Sequence, residues 1–356
     1  MPLPETKLIS RLRKIVGPNR VPAGGIGDDC AVLELPRGHQ ALITTDFSLE
    51  KVHFRREWHP PDSIGHRCLA RGLSDVAAMG GEPHAAFLSL ALPSDLPQGW
   101  VDQFFSGFLK LARRFSVLLV GGDTAESPAG VLADIIVLGS APRGKAILRS
   151  GAHVGDFIYV TGVLGISAFT LQQLQAGRRL RPKQHTRHFY PEPRIEVGRY
   201  LREKRLVSAM IDISDGLSTD LHHLCEESGV GAVIYSESLP RMPGPQSLEF
   251  ALHGGEDYEL LFTAPPRERV PAEIGGVPVT RIGEITPGKS IRIASADGST
   301  KVLRARGWEH LRWNRRFQCA VRRLHSVAPP LHRVQIRHFA EPRPRSLTPL
   351  SMKPKL

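Results

Sequence analysis

The chain has 356 residues, of which 41% are hydrophobic, 6% aromatic and 23% charged, and its formal net charge is +12. This composition is ordinary for a globular protein, and the length predicts two domains that each bury a core. It excludes a peptide and a small disulfide-stapled module. The four cysteines are far apart and form no C-x-x-C pair, which argues against a zinc knuckle and favours a reducing compartment.

Membrane insertion and export are not indicated. No apolar run reaches the roughly 18 residues that span a bilayer. The N-terminus carries Pro2, Pro4 and Glu5 where a signal peptide would be apolar. These features predict a soluble, cytoplasmic protein without a membrane partner.

The positive charge is concentrated at the C-terminal end. Residues 310–356 contain eleven Lys and Arg residues and one acid, a net charge of +10, whereas the preceding 309 residues carry +2. This segment also has six prolines and no helical or strand periodicity, which predicts a poorly ordered, basic tail over 312–356. A polyanion-binding arm is the alternative, but the nearly neutral body makes nucleic-acid binding the weaker interpretation.

In chain order, the first part predicts a mixture of helices and strands. Leu8, Ile9, Leu12 and Ile15 lie on one face of a helix over 5–16, and a glycine-rich turn over 24–29 follows. Further helices are predicted over 63–79 and 100–115. Strands are predicted over 30–35, 41–45, 85–92, 117–120 and 133–139.

The second part begins after a connector over 143–155 and contains a basic, proline-bearing loop over 178–194. A helix is predicted over 217–225, and strands over 157–161, 209–213, 232–235, 258–263 and 279–285. Strands and helices mix without strict alternation, so the fold class is α+β, with mixed sheets flanked by helices. The predicted domains are 1–142 and 143–311, followed by the tail 312–356.

Acidic turns recur where strands or helices end. Singly, each is typical of an Asx turn or a helix cap. Strands that end at one sheet edge bring such turns together, however, and a cluster of carboxylates needs cations. Carboxylate and Thr oxygens suit Mg²⁺, and neighbouring glycines let the backbone approach phosphates. The pattern predicts a magnesium-nucleotide site; its acidic turns lie at Asp28-Asp29, Asp46, Asp75, Asp123, Asp212 with Asp215, and Glu256-Asp257.

One motif is misleading. Residues 283–290, GEITPGKS, match the phosphate-binding loop pattern G-x-x-x-x-G-K-S. Such a loop has to open a helix whose N–H groups hold the phosphates. The alternating residues 291–294 that follow predict a strand and a β-hairpin instead.

Three other residues have two interpretations each. Arg149 is either a surface arginine or a ligand of a polyphosphate. His53 lies in an apolar setting that also suits a packed histidine. Trp308 either closes the core or stacks on a flat ring.

The motifs together resemble the thiamine-monophosphate kinase family. They occur in the family's order between about Glu5 and Trp308. The matching segments are GIGDDCAV (25–32), TTD (44–46), VHF (52–54), LSDVAAMGGEP (73–83), GGDT (121–124), LRSG (148–151), IDISDGL (211–217) and GGEDYEL (254–260).

This resemblance implies the two-domain fold of aminoimidazole-ribonucleotide synthetase, a homodimer formed through the N-terminal domains, and ATP-dependent phosphorylation of thiamine monophosphate in thiamine diphosphate biosynthesis. It implies contacts of ATP with Gly122, Asp123, Arg149 and Ser214, and of thiamine monophosphate with His53, Glu256 and Trp308. The implied ligands of several magnesium ions are Asp29, Thr44, Thr45, Asp46, Asp75, Asp123, Asp212 and Asp215.

The chemistry agrees with these residue types. The acceptor phosphate is already ionised at neutral pH, so no catalytic side-chain base is expected, and direct in-line transfer needs positioning and charge neutralisation. Two features depart from the family: Glu50-Lys51 stands where Glu-Gly is usual, and the tail lies beyond the resemblance. The alternative in the same fold is a synthetase that phosphorylates an amide oxygen or selenide, which the segments around His53 and Glu256 disfavour.

Overall fold

The N-terminal half is built on a five-stranded sheet. In this computed structural model, which describes residues 1–16, 26 and 30–310, the strands are β1 (His39–Leu49), β2 (Glu82–Leu92), β3 (Leu118–Gly121), β4 (Thr124–Glu126) and β5 (Leu132–Pro142). Their order is β1-β5-β2-β3, with β4 also beside β2. Helices α1 (Glu5–Val16), α2 (Pro61–Ala78) and α3 (Gln98–Arg114) accompany this sheet.

Helix α2 is the central element of this half because it is buried on most sides. Thirteen of its residues are buried, and it contacts α3, β1 and β5. Two glycines permit the close crossing of α2 and α3. A Cβ on Gly65 would lie 2.0 Å from the Phe104 carbonyl oxygen, and one on Gly107 would lie 1.8 Å from that of Asp62. The crossing therefore fixes the position of every side chain that α2 presents.

The C-terminal half contains the second sheet, in the order β13-β12-β8-β11-β6-β9-β7, with β10 beside β11. Its helices are α4 (Ile166–Gln175), α5 (Thr186–Phe189), α6 (Ile195–Lys204), α7 (Leu217–Ser228) and α8 (Ser247–His253). Its strands are β6 (Phe157–Thr161), β7 (Ala209–Ile213), β8 (Gly231–Tyr235), β9 (Glu259–Ala264), β10 (Glu273–Ile274), β11 (Val277–Thr286), β12 (Ile291–Ala294) and β13 (Thr300–Val302).

The two halves share a core. Helix α2 also contacts α6, β7 and β9, and one apolar cluster joins residues of both halves, from Leu69 in α2 to Phe262 in β9. Residues Met1–Glu309 form one compact unit. The predicted tail 312–356 lies outside the described residues.

The predicted α+β class is confirmed, and most predicted elements occur within a few residues of their predicted ends. The strand expected over 30–35 is wrong: this run pairs with no strand, and its backbone is irregular. Helices α4, α6 and α8 were not predicted, and the loop over 178–194 contains the short α5 and a 3₁₀ turn at Pro182–Gln184.

The rejected phosphate-loop motif is followed by a strand. Ser290 leads into β12, so no helix N-terminus is available to hold a phosphate there. The hairpin forms between β12 and β13, whereas β8 separates β12 from β11. No helix in the described part of the chain is long and apolar enough to cross a membrane.

Candidate active site

Strand β1 presents its polar residues to opposite faces of the first sheet. Thr44 Oγ1 donates a hydrogen bond to the Asp75 carboxylate, and Thr45 Oγ1 donates to Asp134 Oδ1 at 2.8 Å. The strand continues to Leu49, so the three predicted ligands lie inside the strand and not at its end. Alternation along the strand places Thr44 and Asp46 on the face toward α2 and the Thr45 side chain on the other.

Three carboxylates from separate elements come together on that inner face. Asp46 of β1 shares a hydrogen bond with Asp75 of α2. Asp212 of β7 accepts a hydrogen bond from Ser74 Oγ at 2.7 Å, and the charge of Asp75 raises the pKa of Asp212. The two halves of the fold thus contribute to one acidic cluster.

The cluster holds its negative charge at unusual pKa values. Burial, reinforced by the charge of Asp75, raises the pKa of Asp46 to about 7 and that of Asp212 to about 7. Burial also raises the pKa of Asp75. Such a group of oxygen ligands is stabilised by protons or by a cation that balances it.

A second acidic layer follows β7. Asp215 lies in the turn into α7, where its N–H donates to Asp220 Oδ2 at 3.2 Å and the Gly216 N–H donates to the same oxygen at 3.0 Å. Burial first, and then the charges of Asp212 and Asp215, raise the pKa of Asp220 well above its usual range. The sequence prediction did not name Asp220, whose carboxylate holds the backbone of the turn before α7.

Gly122 and Asp123 lie in the turn between β3 and β4. Gly122 has φ +145°, and a Cβ there would lie 1.9 Å from the Leu88 carbonyl oxygen, so the turn requires glycine. Asp123 Oδ1 accepts a hydrogen bond from the Thr124 N–H at 2.8 Å. Both residues line a cavity of about 450 Å³ that also reaches Leu12 of α1 and Cys30.

Two predicted ATP ligands belong to the second half. The charge of Arg149 lowers the pKa values of Asp75 and Asp212, so its guanidinium acts on the acidic cluster. The Ser214 carbonyl accepts a hydrogen bond from the Glu256 N–H at 2.7 Å. Ser214 thus connects the turn after β7 to the turn before β9.

Glu256 is held by two arginines that the sequence prediction missed. Arg67 Nη2 lies 2.7 Å from Glu256 Oε2, and Arg71 Nη2 lies 3.3 Å from Glu256 Oε1. Burial alone would raise the pKa of Glu256, but Arg67 and Arg71 lower it to about 2. The carboxylate is therefore charged at neutral pH and paired with two guanidinium groups.

The other two predicted substrate residues lie near different parts of this network. His53 Nδ1 accepts a hydrogen bond from the Leu49 N–H at 3.0 Å, and its carbonyl oxygen lies 3.4 Å from Arg67 Nη2. Trp308 is 51% exposed, and its N–H donates to the Asp215 carbonyl at 3.0 Å. The backbone of Trp308 is thereby tied to the acidic turn after β7.

The described side chains are not grouped as a metal site. Within residues 1–16, 26 and 30–310, no three His, Cys, Asp or Glu side chains are grouped closely enough to hold an ion. The predicted ligand Asp29 lies outside the described residues. The ligand, ATP and substrate roles of the individual residues therefore stay predictions.

Comparison with known proteins identifies the family. Residues 27–141 match the AIR synthase related protein, N-terminal domain, and residues 153–295 match the AIR synthase related protein, C-terminal domain. Thiamine-monophosphate kinase of Escherichia coli K12 is 38% identical over 302 residues, which cover 80% of this chain and 91% of the relative.

Solved structures agree with this match. Thiamine-monophosphate kinase from Stenotrophomonas maltophilia K279a is 35% identical with a TM-score of 0.73, and the match covers 84% of this chain and 98% of that one. A structure described as AaThiL complexed with AMPPCP and TMP is 32% identical with a TM-score of 0.70, and the match covers 87% of this chain and 99% of that one. The chain matches these relatives over nearly their whole length. It therefore belongs to the thiamine-monophosphate kinase family.

Proposed function

We propose that this protein transfers the γ-phosphoryl group of ATP directly to the phosphate of thiamine monophosphate, giving thiamine diphosphate and ADP. The observation that carries the proposal is the convergence of Asp46, Asp75 and Asp212 from the two halves of the fold. The related structure in complex with AMPPCP, an ATP analogue, and TMP supports the same pair of substrates.

The oxygen donors of the acidic cluster are of the kind that magnesium prefers. The cluster offers hard oxygen atoms, and the raised pKa values of Asp46 and Asp212 show carboxylates whose charge is incompletely balanced. Asp46, Asp75 and Asp212 would hold the ions, and the other ligands proposed from the resemblance are Asp29, Thr44, Thr45, Asp123 and Asp215. Bound magnesium would neutralise charge on the polyphosphate and align the two anions.

The protein side chains then bind and orient the two substrates. The main chain of Gly122 and the side chains of Asp123, Arg149 and Ser214 are proposed to contact ATP. Glu256, His53 and Trp308 are proposed to contact thiamine monophosphate. Because the acceptor phosphate is already ionised, no side chain needs to remove its proton.

A kinetic comparison of acceptors tests this assignment. The protein is incubated with ATP, Mg²⁺ and either thiamine monophosphate or free thiamine, and the thiamine esters are separated by chromatography. We expect thiamine diphosphate from the monophosphate and no ester from free thiamine. Phosphorylation of free thiamine with the monophosphate left unchanged would reject the proposed acceptor.

We further propose a homodimer formed through the outer face of the first sheet. Ile43 and Phe47 lie four residues apart on the same face of β1, with Thr45 between them, and are 70% and 55% exposed. Large apolar side chains that are exposed close together are typical of an interface. Sedimentation at micromolar concentration tests this proposal, and a monomer would contradict it.

Location and domain limits remain proposals of the same kind. We propose a cytoplasmic enzyme in thiamine diphosphate biosynthesis, with domains 1–142 and 143–311 and a basic tail that takes no part in the chemistry. The nearly neutral charge of the first 309 residues supports the absence of a nucleic-acid partner.

A further inference from the structure

Helix α2 carries a row of charged side chains that leads from the substrate residues to the acidic cluster. Arg67, Arg71 and Asp75 follow one another at intervals of four residues, so they lie on one face of the helix. Arg67 and Arg71 contact Glu256, and Asp75 contacts Thr44 and Asp46. Arg71 is the middle member of this row.

The guanidinium of Arg71 binds three partners from two separate segments. Its Nε donates to the Tyr258 hydroxyl at 3.0 Å, and its Nη2 lies 3.3 Å from Glu256 Oε1. Its Nη1 donates to the carbonyl of Phe47, the residue after Asp46. The side chain is 13% exposed, so these bonds form where water competes weakly.

The turn that carries Glu256 needs such support. Glu256 has φ +63° and Tyr258 has φ +52°, both in the left-handed region that side chains other than glycine adopt at a cost. Arg67 anchors the same carboxylate, but its other bonds go to the carbonyls of His188 and His53. Among the contacts described for the two arginines, those of Arg71 reach β1 directly beside Asp46.

We propose that Arg71 is a positioning residue that sets the distance between the acceptor-binding Glu256 and the acidic cluster at β1. Removing it leaves Glu256 charged through Arg67 but frees its turn from β1. The acceptor phosphate then lies at variable distances from the cluster. This role rests on the proposed function, because Glu256 is taken as an acceptor ligand.

The test is a double-mutant cycle read through kinetic constants. We expect Arg71→Gln to raise the KM for thiamine monophosphate about tenfold, as for a charge-assisted hydrogen bond. The KM for ATP should change less than about twofold. Since Arg71 acts through Glu256, Arg71→Gln combined with Glu256→Gln should be no worse than Glu256→Gln alone.

Two further variants sharpen the result. Arg71→Lys keeps the charge but loses the planar fork, so it should restore part of the acceptor affinity. Arg114→Gln is the matched control, since it removes an arginine–carboxylate pair with Glu192 at the surface and should change neither KM. If Arg71→Gln does not fold, the cycle is run with Tyr258→Phe, which removes only the hydroxyl that receives the Arg71 Nε bond.

The outcomes separate this role from the proposed function. If the losses of the two single variants multiply in the double variant, the role of Arg71 is overturned while the function stays intact. The same holds if Arg71→Gln changes the KM values of ATP and acceptor equally. A wild-type protein that makes no thiamine diphosphate would reject the function itself. A double variant no worse than Glu256→Gln alone, with the change confined to the KM for the acceptor, would support both the role of Arg71 and the proposed function.

Discussion

Asp46, Asp75 and Asp212 place negative charge where water is largely excluded. Burial raises the pKa of all three groups, and the charge of Asp75 adds to this effect for Asp46 and Asp212, which means that the charged forms destabilise the folded protein. The same property favours a divalent cation, which removes the repulsion. At the scale of single residues, low stability without metal and affinity for metal are therefore two consequences of one arrangement.

Replacement of Asp46 separates these consequences. Asp46→Asn removes one buried charge without opening a cavity, so we expect a higher melting temperature in metal-free buffer. The rise in melting temperature on adding Mg²⁺ should shrink, and turnover should fall roughly 100-fold or more. Thermal melts with and without Mg²⁺ and the kinase assay measure these effects. Asp297→Asn, at an exposed turn, is the control. An Asp46→Asn protein with normal turnover would exclude Asp46 as a ligand.

Helix α2 owes its position to its crossing with α3, and the site depends on that position. Gly107 allows α3 to touch the Asp62 carbonyl, and Gly65 allows α2 to touch that of Phe104. A methyl group at either glycine would push the helices apart and displace Arg67, Arg71 and Asp75 together. At the scale of elements, packing far from the chemistry thus sets the geometry of the site.

A glycine pair on α3 tests this packing. Gly107→Ala places a Cβ 1.8 Å from a backbone oxygen, so we expect destabilisation by about 1–3 kcal/mol, as for an overpacked core. Gly99→Ala, in the first turn of the same helix, meets nothing within 4 Å and should be neutral or stabilising. Urea unfolding measures both. Equal stabilities of the two variants would contradict the close crossing.

A buried histidine pair links the turn before α2 to α5. His59 Nε2 and His188 Nε2 are 3.0 Å apart, so one ring donates and the other accepts, and both rings are neutral. Burial, assisted by the charge of Arg67, lowers the pKa of His59 to about 4 and that of His188 well below its usual value. The unfolded chain therefore binds more protons below pH 6.5.

This pair predicts a loss of stability in acid. The stability that the neutral rings contribute is complete above pH 6.5 and is lost as the pH falls toward 4, by on the order of 3 kcal/mol for His59. Asp46 and Asp212 act in the opposite direction, so the measured quantity is the difference in unfolding free energy between wild type and His59→Gln. That difference should shrink from pH 7 to pH 4.5. A constant difference for His59→Gln would reject the neutral pair.

At the scale of the whole molecule, charge and chemistry are separated along the chain. Ten of the twelve net positive charges lie in 310–356, whereas the acidic cluster, Glu256 and both arginines lie before it. We therefore predict that a chain ending at Leu311 folds and keeps its kinase activity, measured at about 0.15 M salt, where screening acts over roughly 8 Å. An insoluble or inactive truncated protein would show that the tail is needed by the body.

How much the sequence could predict follows from the range of the interactions. Strands β6 and β7 were predicted with their observed ends because each is a short apolar run between clear turns. The run over 30–35 has similar residues but no strand beside it, and pairing is not visible in a single segment. The acids of the cluster were recognisable as candidates in the sequence, but Asp46, Asp75 and Asp212 lie inside β1, α2 and β7 and not in the turns that the sequence predicted. The bond between Arg71 and Glu256, 185 residues apart, depends on the packing of α2 against the second half and left no local signal.

The central claim is that the phosphate of thiamine monophosphate receives the γ-phosphoryl group of ATP in this site. The most direct measurement supplies ATP labelled at the γ-phosphate, Mg²⁺ and unlabelled thiamine monophosphate, and follows the label by chromatography. The label should appear in the terminal phosphate of thiamine diphosphate for the wild type and be nearly absent for Asp46→Asn. Label found only in inorganic phosphate, with thiamine monophosphate unchanged, would contradict the account.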